Sequence, residues 1–171
     1  MVRKAILAAA LAVGVLAPPA GADQAASSQR LGANSGLPLP RFVSLDTDQA
    51  NGLRRPSSDA PVDWIYVAPG LPLQVTAEQG SWRRVRDPDG TQVWMHVSAL
   101  SNTSSVFVRG GNRHEAILRT APDANARTRA ILEQGVIATV TDCETGWVKL
   151  AVNDLEGWVR ADALWGANAC Q

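Results

Sequence analysis

The apolar residues of this chain recur in short runs with a period of two, which is the spacing of β-strands. Residues 147–152 alternate in this way, so Val148, Leu150 and Val152 are expected on one face, and we expect that face to be buried. The β-rich runs of the first half are residues 62–67, 71–76, 81–86 and 91–97. Short strands at close spacing, with turn-forming residues between them, predict a small β-barrel.

The sequence also repeats itself after residue 41. The residues matched at a spacing of 65 are Phe42 with Phe107, Gly70 with Gly135, Val75 with Val140, and Trp82 with Trp147. Past one deleted residue the spacing is 64, and the matches are Trp94 with Trp158 and Ala99-Leu100 with Ala163-Leu164. A unit that occurs twice predicts two small domains. We assign residues 41–104 to the first domain, 105–166 to the second and 167–171 to a tail.

Each domain is expected to bury one set of strand residues. The alternation predicts a first core with Val75, Val85, Val93 and Met95, and a second core with Val140, Val148, Leu150 and Val159. A domain of about 60 residues buries only about 60% of its unfolded surface, so each unit is expected to have modest stability.

The first 40 residues have the pattern of an export signal followed by a spacer. A basic start and an apolar stretch of 13 residues at 5–17 precede the small residues Ala20-Gly21-Ala22. This order predicts a secretory signal peptide over residues 1–22, because a bilayer span needs roughly 20 apolar residues. Residues 23–40 lack periodicity and predict a flexible arm. We therefore expect a periplasmic or secreted protein without a membrane anchor, which begins at Asp23.

Composition narrows the range of partners and chemistries. The 16 Lys and Arg residues balance 16 Asp and Glu residues, so nucleic acid is not an expected partner. Cys143 and Cys170 would be exported to an oxidising compartment, where we expect them to form a disulfide. Two isolated His and two distant Cys residues do not have metal-ligand spacing, and no phosphate-binding glycine loop is present. We expect no cofactor and no metal.

An enzymatic function has little support in the sequence. His96 follows Trp94 at a spacing of two and could act as a base, but no motif places a Ser or Cys nucleophile beside it. We expect His96 to face solvent or to cap a turn, and His114 to be a loop residue. The prediction is that the protein is not an enzyme.

The order of the elements resembles the bacterial SH3-like domain of exported proteins. The motifs that carry this resemblance in the second domain are Leu118-Arg119-Thr120-Ala121-Pro122, Gly146-Trp147-Val148-Lys149-Leu150 and Gly157-Trp158-Val159-Arg160. The first domain carries Ser81-Trp82-Arg83-Arg84-Val85 and Val93-Trp94-Met95-His96-Val97. It departs from the family pattern at Leu53, where the family has an arginine. The resemblance implies two tandem SH3-like β-barrels that bind cell-wall glycan or its peptide stems.

Tryptophan residues mark a candidate ligand face. Trp82 and Trp94 lie on either side of a turn centred on Pro88, and we expect them to form a cross-strand aromatic pair with Arg84 on the same face. SH3 domains use a shallow aromatic surface of this kind to bind extended peptides. The alternative is that the loop at residues 46–61 folds over both side chains, since Trp is highly buried on average.

These features favour a non-catalytic binding module of the cell envelope. Its ligand is predicted to be an extended peptide or a peptidoglycan-derived molecule, bound by Trp82, Arg84 and Trp94 in the first domain and by Arg119 and Trp147 in the second. Two alternatives stay open. Trp165 and the tail could pack one domain on the other to make a rigid scaffold for another envelope protein, or the protein could be an accessory of a cell-wall hydrolase. The sequence does not indicate the oligomeric state.

Overall fold

The computed structural model describes residues 30–111 and 114–167, and β-strands make up nearly all of its regular structure. The strands of the first half are β1 (Arg30–Leu31), β2 (Pro38–Leu39), β3 (Arg41–Leu45), β4 (Ala50–Leu53), β5 (Val62–Tyr66), β6 (Pro72–Gln79), β7 (Trp82–Arg86), β8 (Gln92–His96) and β9 (Leu100–Ser101). Those of the second half are β10 (Ser105–Val108), β11 (Glu115–Arg119), β12 (Thr128–Glu133), β13 (Ile137–Glu144), β14 (Trp147–Val152), β15 (Leu155–Arg160) and β16 (Leu164–Trp165). Short 3-10 turns, Val97–Ala99 and Ala161–Ala163, precede β9 and β16.

Two seven-stranded antiparallel sheets contain every strand from β3 to β16. The strand order is β5-β4-β8-β7-β6-β3-β9 in the first sheet and β12-β11-β15-β14-β13-β10-β16 in the second. Each strand of the first sheet thus has a counterpart seven strands later, in the same place in the order. The repeat in the sequence is therefore a repeat in topology, and the predicted all-β fold of two tandem units is confirmed.

Each sheet has its own hydrophobic core. The predicted core residues that are fully or almost fully buried are Val75, Val85, Val93, Met95, Val148, Leu150 and Val159. Val140 is only partly buried, but it packs against the second core. The predicted core faces are therefore confirmed. They could be predicted because alternation along a strand determines the face of each residue.

The hairpin of β7 and β8 has a different register from the one that the sequence predicts. Trp82 lies opposite His96, and Arg84 lies opposite Trp94. The predicted cross-strand pair of Trp82 and Trp94 is therefore wrong, although both residues share one face of the hairpin as diagonal neighbours.

The side chain of Asp87 explains this register. Its Oδ1 accepts hydrogen bonds from the backbone N–H groups of Asp89, at 3.0 Å, and of Thr91, at 2.9 Å. These bonds organise a loop whose centre is Asp89 rather than Pro88. A shift of the centre by one residue moves every cross-strand partner by two positions.

Residues 30–39 form a hairpin of β1 and β2 that packs on the first unit, in the stretch where the sequence predicts a flexible arm. Leu39 is 7% exposed and belongs to the first core. Glu78 holds the tip of the hairpin, because its Oε2 accepts the backbone N–H groups of Asn34, at 3.0 Å, and Ser35, at 2.8 Å. These contacts join residues more than 40 positions apart, which a local pattern cannot indicate.

The side chain of Glu78 has no exposed surface and is surrounded by donors. Its Oε1 accepts the hydroxyl of Ser35 at 2.7 Å and lies 2.8 Å from Nη2 of Arg41 and 3.4 Å from Nε of Arg83. Burial alone would raise the pKa of Glu78, but the hydrogen bonds from Ser35, Asn34 and Arg41 outweigh it and lower the pKa to about 2. We call this set of contacts the Glu78 clasp.

The two units pack directly on each other. The ring of Trp165 meets the ring of Phe42 edge to face, with centroids 5.2 Å apart, and the guanidinium of Arg109 lies 4.2 Å from the Trp165 ring centroid. The hydroxyl oxygens of Ser44 and Ser105 are 2.5 Å apart and join β3 to β10. Trp165 therefore packs one unit on the other, as the scaffold interpretation of the sequence required.

Some predictions fall on parts of the chain outside the described residues. The predicted signal peptide, residues 1–22, lies there, and so does Cys170. Cys143 is on the exposed part of β13, and its predicted disulfide with Cys170 stays a prediction. The part of the chain that the structure describes includes no helix long and apolar enough to cross a membrane.

Candidate ligand-binding face

A groove of about 410 Å³ lies beside the β7–β8 hairpin of the first unit. Trp82 and His96 line it from the hairpin, and Leu53 and Ala60 line it from the segment that connects β3 to β5. The loop at residues 46–61 therefore forms one wall of an opening and leaves Trp82 partly exposed. We call this opening the Trp82 groove. Its volume is in the range of small-ligand sites.

Trp82 and His96 form a fixed aromatic wall. Their rings are 5.3 Å apart at an angle of 78°. His96 also caps the 3-10 turn that follows it, since its Nδ1 accepts the backbone N–H of Ser98 at 3.3 Å and lies 2.8 Å from the Ser98 hydroxyl oxygen. The capping role expected for His96 is confirmed, and it restrains the imidazole against Trp82.

Arg84 and Trp94 lie on the same face as Trp82. Arg84 is exposed, and it forms no salt bridge within the described ranges. Trp94 is partly buried and lies opposite Leu53 of β4. The structure thus brings the three first-unit candidates together and places a cation without a carboxylate partner beside aromatic surface.

The corresponding aromatic residues of the second unit are covered. Trp147 and Trp158 are each 8% exposed. Arg160 occupies the position that His96 has in the first unit, and its guanidinium lies 5.7 Å from the Trp147 ring centroid. Arg160 also pairs with Asp162 at 3.0 Å. The structure does not present Trp147 as an open platform, which differs from the expectation from sequence.

Arg119 supports a loop of the second unit. Its Nη1 donates to the backbone carbonyl of Ala126 at 2.8 Å, across the loop between β11 and β12. Its counterpart in the strand order is Leu53 of the first unit, so the first unit lacks this bond. In the first unit, Arg54, directly after β4, instead forms an ion pair with Asp63 of β5, with Nη2 and Oδ1 2.7 Å apart.

An exposed apolar edge is the part of the surface that sequence reasoning missed. Trp64 is 58% exposed, Ile65 56% and Val67 68%. Trp64 and Ile65 lie on β5, the strand at one edge of the first sheet, whose outer backbone groups have no partner strand in the described parts of the chain. The β-rich run at 62–67 predicts a strand but contains no signal that this strand is an edge. We call these three residues the β5 edge patch.

Titratable side chains of the described residues do not form a metal-binding cluster. No group of three or more His, Cys, Asp or Glu side chains that could hold a metal ion occurs there. Tyr66 donates a hydrogen bond to Oδ2 of Asp87 at 3.0 Å, and burial, then the Asp87 charge, raise the pKa of Tyr66 well above its usual value. The phenol therefore stays protonated and connects β5 to the β7–β8 loop.

Parts of the chain are similar to known proteins. The family described as Bacterial SH3 domain matches residues 46–102 and 112–166. Two solved structures, NlpC1 and NlpC2 from Trichomonas vaginalis, are 16% and 14% identical, with matches that cover 78% and 74% of this chain and a TM-score of 0.34. The match covers 48% of each of those chains, so this chain spans about half of their length. No curated protein matches the chain.

Proposed function

This chain belongs to the bacterial SH3 domain family, which confirms the resemblance seen in its motifs, and we propose that it is a non-catalytic binding protein of the cell envelope. Its ligand is an extended peptide or a peptidoglycan-derived molecule that carries a peptide. The observation that supports this proposal is the Trp82 groove, which is open and has an aromatic wall. Aromatic-lined grooves are a recurring way to bind extended peptides.

The chemistry of the groove matches such a ligand. Trp82 offers a wide apolar surface and an indole N–H donor, and Val62, which is 47% exposed, supplies aliphatic surface. Arg84, exposed on the same face, can pair with a carboxylate such as those of stem peptides. A single cation and a shallow groove imply weak binding, with a Kd of about 1 µM or higher. Because Trp147 and Trp158 of the second unit are almost fully buried, we place the site in the first unit alone.

The experiment is a sedimentation assay of the full chain with purified peptidoglycan sacculi, followed by titration with soluble stem peptides. We expect Trp82→Ala to weaken binding at least about tenfold, as for a central aromatic contact. Arg84→Gln should weaken binding several-fold, and the loss should shrink at high salt. Trp64→Ala is the matched control, because it removes an exposed Trp of the same unit that does not line the groove.

Two outcomes would contradict the proposal. One is equal binding by the wild type and Trp82→Ala. The other is a loss of binding in Trp64→Ala that matches the loss in Trp82→Ala, since that result would move the site to the sheet edge. Release of soluble fragments from the sacculi by the purified protein would contradict the non-catalytic part.

A scaffold for another envelope protein is the second candidate function. The β5 edge patch supports it, because exposed apolar edge strands are places where a partner protein can add a strand. The direct packing of the two units gives such a scaffold a fixed shape. Crosslinking from position 67 in envelope preparations tests this function. A specific partner that is lost in Trp64→Ala and kept in Trp82→Ala would favour the scaffold over the peptide site.

We also propose that the protein is exported to the periplasm. The order of basic, apolar and small residues over 1–22 supports this location. Cell fractionation followed by mass spectrometry of the intact protein tests it. A mature form that begins at Asp23 is expected, and a cytoplasmic form with an intact Met1 would contradict it.

A further inference from the structure

The corresponding edge strands of the two units, β5 and β12, carry different side chains. Both strands end the order of their sheets, and a register shift of the same kind interrupts each of them. On β12 the exposed Ile131 stands between the charged residues Arg129 and Glu133. Charged side chains of this kind protect an edge strand from pairing with another chain. On β5 the only charged residue is Asp63, and its edge is otherwise apolar.

The apolar surface of β5 extends over both faces of the strand. Trp64 and Ile65 are neighbours in a regular stretch, so their side chains point to opposite faces. Both are more than half exposed. A molecule that packs on one face would leave the other side chain in water. A strand added along the edge would cover both side chains and would also pair the outer backbone groups of β5.

The charge of β5 suits pairing with a second copy of the same strand. The carboxylate of Asp63 is already paired with Arg54 of its own chain, since its Oδ1 lies 2.7 Å from Nη2 and 3.0 Å from Nε. Two copies of β5 can therefore approach each other without unbalanced like charges. A partner selected by charge would need a free charged group on this strand, and Val62–Tyr66 has none.

We propose that two copies of the chain pair through β5 in an antiparallel dimer with two-fold symmetry. The regular part of the strand, residues 64–66, is centred on Ile65. A two-fold pair over these residues places Ile65 opposite its own copy and Trp64 opposite Tyr66 of the second copy. Aromatic pairs across two strands are among the favourable ones.

The other outer strands of the two sheets limit the assembly to two copies. They are β9 and β16, with two residues each, and the charged β12. Short and charged edges are poor templates for pairing. The dimer goes beyond the peptide-binding function, and it differs from the scaffold function because a second copy, and not another protein, covers the β5 edge patch. Ile65 does not line the Trp82 groove, so the two proposals can be tested separately.

The experiment is sedimentation velocity of the full chain at concentrations from about 5 µM to about 500 µM. We expect a monomer–dimer equilibrium with a Kd of about 10–100 µM, because one strand pair is smaller than a standard protein interface. Ile65→Lys should raise this Kd at least about tenfold, since it places two ammonium groups opposite each other. Ile131→Lys is the matched control, because it changes an isoleucine of similar exposure, 59% against 56%, on the corresponding strand of the second unit.

A charge exchange tests the two-fold arrangement itself. Ile65→Glu should weaken the dimer as Ile65→Lys does, because two carboxylates then lie opposite each other. An equimolar mixture of the two variants should associate more tightly than either variant alone, since each ammonium group then faces a carboxylate. If a charged variant loses the circular dichroism spectrum of the wild type, Trp64→Ala replaces it and should weaken the dimer several-fold without adding a charge.

Four results would overturn the dimer. They are a chain that stays monomeric at the highest concentration, assemblies larger than two copies, an equal loss of association in Ile131→Lys, and a mixture of the Ile65 variants that associates no better than its components. The first three would show that β5 stays open or pairs head to tail with β12. Ile65→Lys should bind soluble stem peptides as the wild type does, so failure of the dimer and failure of the peptide site can be told apart.

Discussion

Replacement of Glu78 by Gln should release the N-terminal hairpin from the first unit. The change keeps the size of the side chain but removes the charge that accepts two backbone N–H groups and the Ser35 hydroxyl. It also leaves Arg41 and Arg83 close together without the carboxylate between them. We therefore expect residues 30–38 to lose their contact with the sheet, while Leu39 and the rest of both cores stay buried.

The magnitude follows from the pKa of Glu78, which the clasp lowers from 4.5 to about 2. A shift of this size corresponds to at most about 3 kcal/mol of unfolding free energy. The amide oxygen of a glutamine at this position can still accept some of these hydrogen bonds, so about 1–2 kcal/mol is the expected effect of Glu78→Gln. Because the folded-state pKa is lowered, this stability is present above pH 4.5 and is lost as the pH falls towards 2.

Urea unfolding of the wild type and Glu78→Gln at pH 7 and at pH 2.5 measures this effect. The difference in unfolding free energy should be present at pH 7 and much smaller at pH 2.5. Limited proteolysis at pH 7 should cut the variant within residues 30–39 faster than the wild type. Glu133→Gln, at an exposed position of the second unit, is the control and should change neither measurement. Equal midpoints for Glu78→Gln and the wild type at pH 7 would refute the clasp.

Three further predictions concern the cores, the interface and the cysteines. Val148→Asp places a carboxylate where no surface is exposed and should unfold the second unit, at a cost of several kcal/mol, whereas Val67→Asp at the exposed edge should melt normally by circular dichroism. Trp165→Ala should lower the unfolding free energy by about 2–4 kcal/mol and split unfolding into two calorimetric transitions. A single unchanged transition would show that the units are not coupled through this ring. The Cys143–Cys170 disulfide should protect both thiols from alkylation in denatured, non-reduced protein, and free reaction of both would contradict it.

Alternation along the strands was enough to predict the cores. Val148 and Leu150 are two positions apart on β14, and both have no exposed surface. The same reasoning worked for Val85 on β7. Burial of this kind depends on neighbours in sequence, because every second residue of a strand points to the same face.

The candidate face depended on interactions that alternation does not contain. The pairing of Trp82 with His96 is a consequence of the hydrogen bonds of Asp87, and an error of one residue in the turn centre changed the predicted pairing. In the second unit, the same register places Arg160 opposite Trp147, where it covers the ring. The sequence showed both tryptophans in equivalent places, but not that different residues lie opposite them.

The packing of Trp165 on Phe42 sets an order of events for the folding of the chain during synthesis. The first sheet uses no strand beyond β9, so it can form before the second half of the chain has been made. The Trp165 ring, which packs on Phe42, belongs to β16, the last strand of the second sheet. The surface around Phe42 therefore stays exposed while more than 60 further residues, from Ser101 to Trp165, are synthesised. During this interval it can associate with other chains. A chain interrupted before Trp165 would keep that surface uncovered and would be a target for chaperones and proteases.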